Sequence, residues 1–246
     1  MSIHSCDALV LRRYPFRETS VIVSCLTAEF GKIKGLVKGI RGPRSRYRSA
    51  MEAITRNRIV FYDTRASQLH LITQCELLDP LSRIQEDLET AQLAAFFVDL
   101  TETVVPLEDP QPRIYRLLRD ALERLAIGNA DRRQLRVRVV LRLLRLAGFE
   151  PQVDSCTGCA SRIAADGFWS ARQGGLLCRR CLHQDADAER LGETQLALLR
   201  QLSDDDGPVL APPDVMNALS GHLDDFLAWR LDRPLRTQRV KMTGLT

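Results

Sequence analysis

Four of the seven cysteines carry the clearest chemistry in the chain: Cys156-x2-Cys159 and, 18 residues on, Cys178-x2-Cys181. A two-residue gap lets both thiolates of a pair turn toward one ion, and zinc takes four soft ligands in a tetrahedron. Two such pairs separated by about 15–20 residues read as a closed zinc site. The neighbouring glycines agree: Gly158 lies inside the first pair's turn, and Gly174 and Gly175 can reverse the chain before Cys178. Four protein ligands leave no position for water or substrate, so the expected Zn2+ is structural, a single ion. An iron–sulfur cluster accepts the same four thiolates and spacing alone leaves it open. A thioredoxin-type redox pair needs one Cys-x-x-Cys beside a βαβ unit, a context this stretch lacks. Arg179 and Arg180 fall within the second pair, facing either phosphate or plain solvent.

The second candidate is electrostatic. Net charge is only +4, but residues 1–80 hold 13 Lys/Arg against 7 Asp/Glu, so the excess is concentrated there. Between positions 32 and 48 stand Lys32, Lys34, Lys38, Arg41, Arg44, Arg46 and Arg48, with no acidic residue among them. Such a patch attracts polyanions by neutralising phosphates and releasing their counterions; the bland alternative is a solvated face. Glycines 39 and 42 allow close backbone approach, and Tyr14, Phe16 and Tyr47 flank basic residues where a base can stack. Arg138, Arg142 and Arg145 form a further stripe, either a water-facing side of a helix or a dock for nucleic acid or an acidic tail. The basic residues Arg233, Arg236, Arg239 and Lys241 close the chain.

No catalytic constellation emerges. The four histidines, His4, His70, His183 and His222, show neither His-x-x-x-His nor His-x-Glu spacing, and no phosphate-binding glycine loop ends in Lys-Ser/Thr. The expectation is a binding protein rather than an enzyme. Ser203–Pro213, with three consecutive aspartates, reads as a solvated loop, because adjacent carboxylates lack ion-loop spacing.

The elements that must carry these residues change character along the chain. Stretches 8–11, 21–26, 33–37, 58–62 and 69–74 are short, apolar and turn-bounded, as strands are. Five strands in about 80 residues suit a small closed barrel, an OB-fold or an SH3-like one. Cys25 lies in one of them, and Cys6 and Cys75 flank two others; all three are expected as small buried hydrophobes. Beyond Pro80 the period becomes helical: 90–105 is apolar nearly all round, Ile114–Leu125 repeats at three and four residues, and Asp131 can cap a helix to Leu146. Two more amphipathic segments cover 193–202 and 214–231. The expected class is therefore α+β: an N-terminal five-stranded OB-fold barrel at 1–80, binding nucleic acid, then a mainly α-helical domain at 81–246 with a four-cysteine insert at about 154–182. No apolar run approaches the roughly 20 residues that span a bilayer. The N-terminus lacks a charged-then-apolar signal, so the expected location is intracellular, which favours reduced thiols.

Three blocks resemble one family. The first runs from Ala8-Leu9-Val10-Leu11 through Glu18-Thr19 to Phe30-Gly31-Lys32 and Lys38-Gly39-Ile40-Arg41; the second joins Gly148-Phe149-Glu150-Pro151 to the two cysteine pairs through Gly174-Gly175; the third is Leu235-Arg236-Thr237-Gln238-Arg239. They are similar to the bacterial RecO recombination mediators, and the order of barrel, helices, cysteine insert and helices matches over nearly the whole chain. Ile40 departs mildly from the smaller residue expected at that point of the basic loop. The resemblance implies an OB-fold, a helical domain with a zinc site, and binding of single- and double-stranded DNA with annealing of complementary strands. It also implies the partners RecR and the acidic C-terminal tail of single-stranded DNA-binding protein (SSB), in loading RecA, at the cytoplasmic nucleoid. A zinc-containing RNA-binding OB module and a cysteine-dependent redox enzyme are the alternative readings.

Overall fold

The computed structural model describes residues 2–40, 50–63, 68–204, 207, 209–231 and 235–239. Five strands, β1 (Ile3–Phe16), β2 (Ser20–Thr27), β3 (Gly31–Val37), β4 (Arg56–Tyr62) and β5 (Leu69–Asp79), close a barrel in the order β1-β2-β3-β5-β4. Every neighbouring pair is antiparallel except β3 with β5. This is the OB arrangement expected from the sequence. β1 pairs with β4 through Ile3–Leu9 and with β2 through Ala8–Phe16, and a bulge between Val10 and Arg12 turns it from one partner to the other. Alternate residues point inward: Cys6, Ala8 and Val10, then Val21, Val23 and Cys25, meet Ile33, Val37, Ile59, Phe61, Ile72 and Cys75. Burial pushes the Cys6 thiol up to about 12 and the Cys75 thiol up to about 11, and drives Cys25 further in the same direction. These three are inert filling.

Part of the barrel's outer face is buried too, because two helices lie on it. Asp87 caps α1 (Leu88–Val104), its carboxylate accepting from the Thr90 backbone N–H at 2.8 Å and hydroxyl at 2.6 Å. Pro112 opens α2 (Pro112–Ile127) and Gly128 ends it in the left-handed conformation. α1 packs on β1 and α2 on β2. Across that contact the Ser24 hydroxyl donates to the Glu102 carboxylate at 2.6 Å, and the Lys32 ammonium donates to the Glu102 carbonyl at 2.5 Å. The α1–α2 connection lies along β3: the Glu108 N–H donates to the Lys32 carbonyl at 2.8 Å. It passes so close that a Cβ on Gly31 would stand 2.1 Å from the Asp109 carbonyl oxygen. Consequently the first compact unit runs to Asn129, where the sequence division was placed at 80.

The second unit begins at Ala130. Its helices are α3 (Arg132–Leu146), α4 (Glu193–Asp204), α5 (Pro213–Arg230) and the short α6 (Arg236–Arg239). Asp131 caps α3 by accepting from the Arg133 and Gln134 N–H groups at 2.9 and 3.2 Å. α3 contacts both α4 and α5, so it is buried on more than one side. Between α3 and α4 a small sheet, β6 (Gly167–Ser170), β7 (Gly175–Leu177) and β8 (Glu189–Leu191), takes the order β7-β6-β8. Buried Trp169 on β6 donates its indole N–H to the His222 carbonyl at 3.2 Å and packs on the Phe226 ring, fixing the sheet to α5. Among the described residues, no helix is long and apolar enough to cross a membrane.

Gly31→Ala is expected to be among the costliest single methyl additions. The residue has φ +67° and its Cβ would collide with backbone, so a loss of more than about 2 kcal/mol is anticipated. Chemical denaturation of the barrel, followed by circular dichroism, measures it.

Candidate metal centre and nucleic-acid interface

The two cysteine pairs meet in space. Cys156 and Cys159 lie on a tight turn ahead of β6; Cys178 and Cys181 follow β7 at the start of a 3-10 turn, Arg179–Gln184. Their four sulfurs all lie within 4.8 Å of one another, and Cys159 Sγ stands 3.7 Å from Cys178 Sγ. Zinc–thiolate bonds of about 2.3 Å in a tetrahedron put sulfurs roughly 3.8 Å apart, so the donor set fits one tetrahedral ion. Each knuckle is shaped by its backbone. The first turns at Ala160, with φ +58°, and its Ala160 N–H donates to the Cys156 carbonyl at 2.8 Å. The N–H groups of Gly158 and Cys178 donate to Cys156 Sγ at 3.4 and 3.3 Å. A backbone hydrogen bond from Cys181 pulls the Cys178 thiol down to about 6. The Ser161 hydroxyl lowers Cys159, while burial pushes Cys181 upward.

The knuckles are held by what surrounds them. Gly174 and Gly175 have φ +85° and +154°, and a Cβ on Gly175 would lie 2.2 Å from the Gln152 carbonyl oxygen. That close approach lets Leu176 N–H reach the same carbonyl at 2.8 Å and aligns β7 with the first knuckle. Arg200 on α4 donates to the carbonyls of Val153, Ile163 and Ala164 at 2.7, 2.6 and 3.1 Å, and pairs with Asp154 at 3.0 Å. One guanidinium thus ties both sides of the first knuckle to a helix. Arg200 drew no notice in the sequence, where it reads as one more helical arginine. Arg179 and Arg180 are exposed beside the site.

The basic residues of 32–48 do not all share one fate. Lys32 is buried and spends its ammonium on α1, so it is a structural lysine and leaves the expected DNA-binding set; α1 covers the strand face that the sequence left open. Lys34 is half-buried and Lys38 exposed, and among the described residues neither side chain has a hydrogen bond or an ion pair. Arg41, Arg44, Arg46 and Arg48, with Tyr47, lie outside the described residues. The segment's two flanks are firmly seated: Ile40 on one side and Ala50 and Met51 on the other belong to the barrel core.

Strand register adds cations that sequence reading passed over. Pro15 stands opposite Val21, and Val21 opposite Val37, so the end of β1 and the start of the basic segment share one end of the barrel. There Arg12 lies over the Tyr14 ring at 4.7 Å and Arg17 over Phe16 at 5.3 Å. Among the described residues neither guanidinium meets a carboxylate. The alternation of Arg12, Tyr14 and Phe16 along one strand face was the available signal.

The stripe on α3 is corrected. Arg138 is buried, donating to the Gly207 carbonyl at 2.6 Å, because α3 is packed between α4 and α5 rather than lying on the surface. Arg145 is exposed but bridges Glu150 and Asp204 at 2.6 and 2.7 Å; Arg142 is half-buried. These arginines do not form an open cationic stripe. Arg138 and Arg145 brace the helical unit internally.

A five-stranded OB barrel followed by a helical unit with four cysteine sulfurs placed to hold one metal ion defines the class of OB-fold proteins that carry a candidate metal centre. The sequence matches the family described as "Recombination protein O N terminal" over residues 1–81 and "Recombination protein O C terminal" over 85–239. A protein of Pelotomaculum thermopropionicum named "DNA repair protein RecO" is 30% identical over 202 residues, covering 82% of this chain and 77% of the relative. One of the same name from Exiguobacterium sibiricum is 30% identical over 242 residues, covering 97% and 96%, and one from Desulforudis audaxviator 32% over 203 residues, covering 82% and 80%. The chain belongs to the RecO family of DNA repair proteins.

Removing the metal is expected to loosen the second unit selectively. Both tryptophans of the chain, Trp169 and Trp229, lie there, so their fluorescence during thermal unfolding with and without a strong chelator reads it directly. Arg200→Ala, losing three carbonyl contacts and an ion pair from a largely covered guanidinium, should cost about 2–4 kcal/mol in the same measurement.

Proposed function

We propose that this chain is a DNA-binding recombination mediator, binding single- and double-stranded DNA on the barrel and annealing complementary strands without catalytic turnover. Together with RecR it helps RecA load onto SSB-coated single strands, and the helical unit receives the acidic C-terminal tail of SSB. Its working place is the cytoplasm, at the nucleoid. The observation that carries the reading is the rooting of the basic segment in the barrel core at both ends, by Ile40 and by Ala50 and Met51. The seated flanks tie the ends of this cationic segment to the barrel, and its charges attract phosphates by releasing their counterions. Lys34, Lys38, Arg12 and Arg17 extend the cationic field, and Tyr14 and Phe16 supply aromatic faces near it. The named relatives support the DNA repair role.

In this proposal the four-cysteine centre holds one Zn2+. All four donors are thiolates and their spacing suits a tetrahedron, which zinc accepts without redox chemistry. When bound, the ion supplies cross-linking of the two knuckles and nothing to the DNA chemistry. Cys156, Cys159, Cys178 and Cys181 would fill its coordination sphere, leaving no open position. Lys34, Lys38, Arg41, Arg44, Arg46 and Arg48 are the proposed phosphate contacts.

The test is binding to a labelled single-stranded oligonucleotide across a salt series, wild type against an Arg41→Glu/Arg44→Glu/Arg46→Glu variant. Each phosphate contact contributes about 0.7 to the log–log salt slope for single strands. The expected result is a steep slope that flattens by about 2 in the variant. Equal slopes in the two proteins would remove the basic segment from the DNA interface. RNA competing as well as DNA of the same sequence would turn the reading toward an RNA-binding module.

A further inference from the structure

At the end of the barrel where the basic segment is rooted there is a cavity of about 460 Å3, lined by Leu11, Arg12, Arg13, Pro15, Val21, Glu52 and Ala53. Ligand pockets span about 300–1,000 Å3 and combine apolar walls with a few placed polar groups. Here Leu11, Pro15, Val21 and Ala53 are the walls, and Arg12, Arg13 and Glu52 the polar groups, Arg13 and Glu52 joined in an ion pair. Register places this slot between the two roots of the basic segment. Val21 stands opposite Val37, immediately before Lys38, while Glu52 and Ala53 follow Ala50 and Met51 on the returning side.

The wall is shaped before any ligand arrives. Met51 and Ile54 take φ +64° and +66°, conformations that cost β-branched and bulky residues energy. Hydrogen bonds hold that shape. The Ile54 N–H donates to the Val10 carbonyl at 2.9 Å, the Val10 N–H to Thr55 at 3.0 Å, and the Thr55 hydroxyl to the Glu52 carbonyl at 2.6 Å. The bulge that leaves Leu11 unpaired opens the facing side. An apolar floor with one anionic and two cationic groups around it suits a flat heterocycle with donors and acceptors on its edge. Arg13 is already engaged by Glu52 and Arg12 lies over the Tyr14 ring, so neither guanidinium is spare for a phosphate.

We propose that this slot holds one unstacked nucleobase of a bound single strand, a contact separate from the phosphate contacts of the basic segment. The inference rests on the barrel being the DNA-binding surface. The base lies against Pro15 and Ala53, with its edge toward Arg13 and Glu52. Because a paired base is not available to it, the slot favours single strands over duplex.

Two oligonucleotides of equal length separate base from phosphate: one bearing bases, the other an abasic sugar-phosphate strand. Wild type is expected to prefer the base-bearing strand by about tenfold, within the range of a single buried base contact. Ala53→Met fills the slot without charge or an aromatic face, and should bind both strands equally while keeping the wild-type salt slope. Ala53→Leu is the second variant, and thermal unfolding confirms that each is folded. A variant that keeps the wild-type base preference, or a wild type that has none, overturns the slot while leaving phosphate binding intact. A wild type that binds neither strand overturns the underlying reading and the slot with it.

Discussion

The bend in β1 is the constraint on which the first unit turns. A strand of 14 residues pairs with β4 along its first half and β2 along its second, and only the unpaired residue at Leu11 lets it serve both without splaying the sheet. Closure removes the free edges that five short strands would otherwise expose to other chains. The same bulge adjoins Val10, which exchanges backbone hydrogen bonds with Ile54 and Thr55 and so ties the 54–55 segment to β1. It also aims Arg12, Tyr14 and Phe16 away from the core at one end. Barrel closure, the basic segment's anchorage and the surface aromatics thus follow from one irregularity.

The second unit is organised around a different economy. Its insert is short, with Ile163, Trp169, Leu176 and Leu177 as its large buried apolar side chains, and Trp169 packs on α5. Four thiolates, two glycines and Arg200 supply the rest. A metal cross-link substitutes for core where the chain is too short to build one. The glycines make the backbone approach possible, and Arg200 covers carbonyls that the knuckle leaves without partners. Each of the three contributions would be ineffective alone, since the knuckle needs backbone proximity, satisfied polar groups and charge balance together.

Cations illustrate how one residue type is divided by its surroundings. Lys32, Lys34 and Lys38 alternate along or just beyond one strand, yet Lys32 is buried under α1 while Lys34 and Lys38 keep no protein partner among the described residues. Arg138 and Arg145 lie on one helix, one buried against a loop carbonyl and the other bridging two carboxylates. Burying an ammonium or guanidinium is tolerated because a backbone carbonyl or carboxylate receives it; an unpaired one would be strongly unfavourable. Charge counting along a sequence registers none of this.

Local information in the chain was sufficient for the five strands, the five longer helices and the cysteine centre. Period-two and period-3.6 apolar patterns, the caps at Asp131 and Gly128, and the paired Cys-x2-Cys spacing are all encoded within a few residues of where they act. Tertiary structure alone decided which faces were covered. The pattern of Ser24 and Lys32 on the barrel's outside reads as solvent-facing, and it is the packing of the helices that buries them and carries the first compact unit on to Asn129. Likewise the slot between Leu11 and Ala53 joins residues about forty positions apart through barrel closure. Spacing records which groups can meet along one element; only the packing of several elements determines which of them remain open to a ligand.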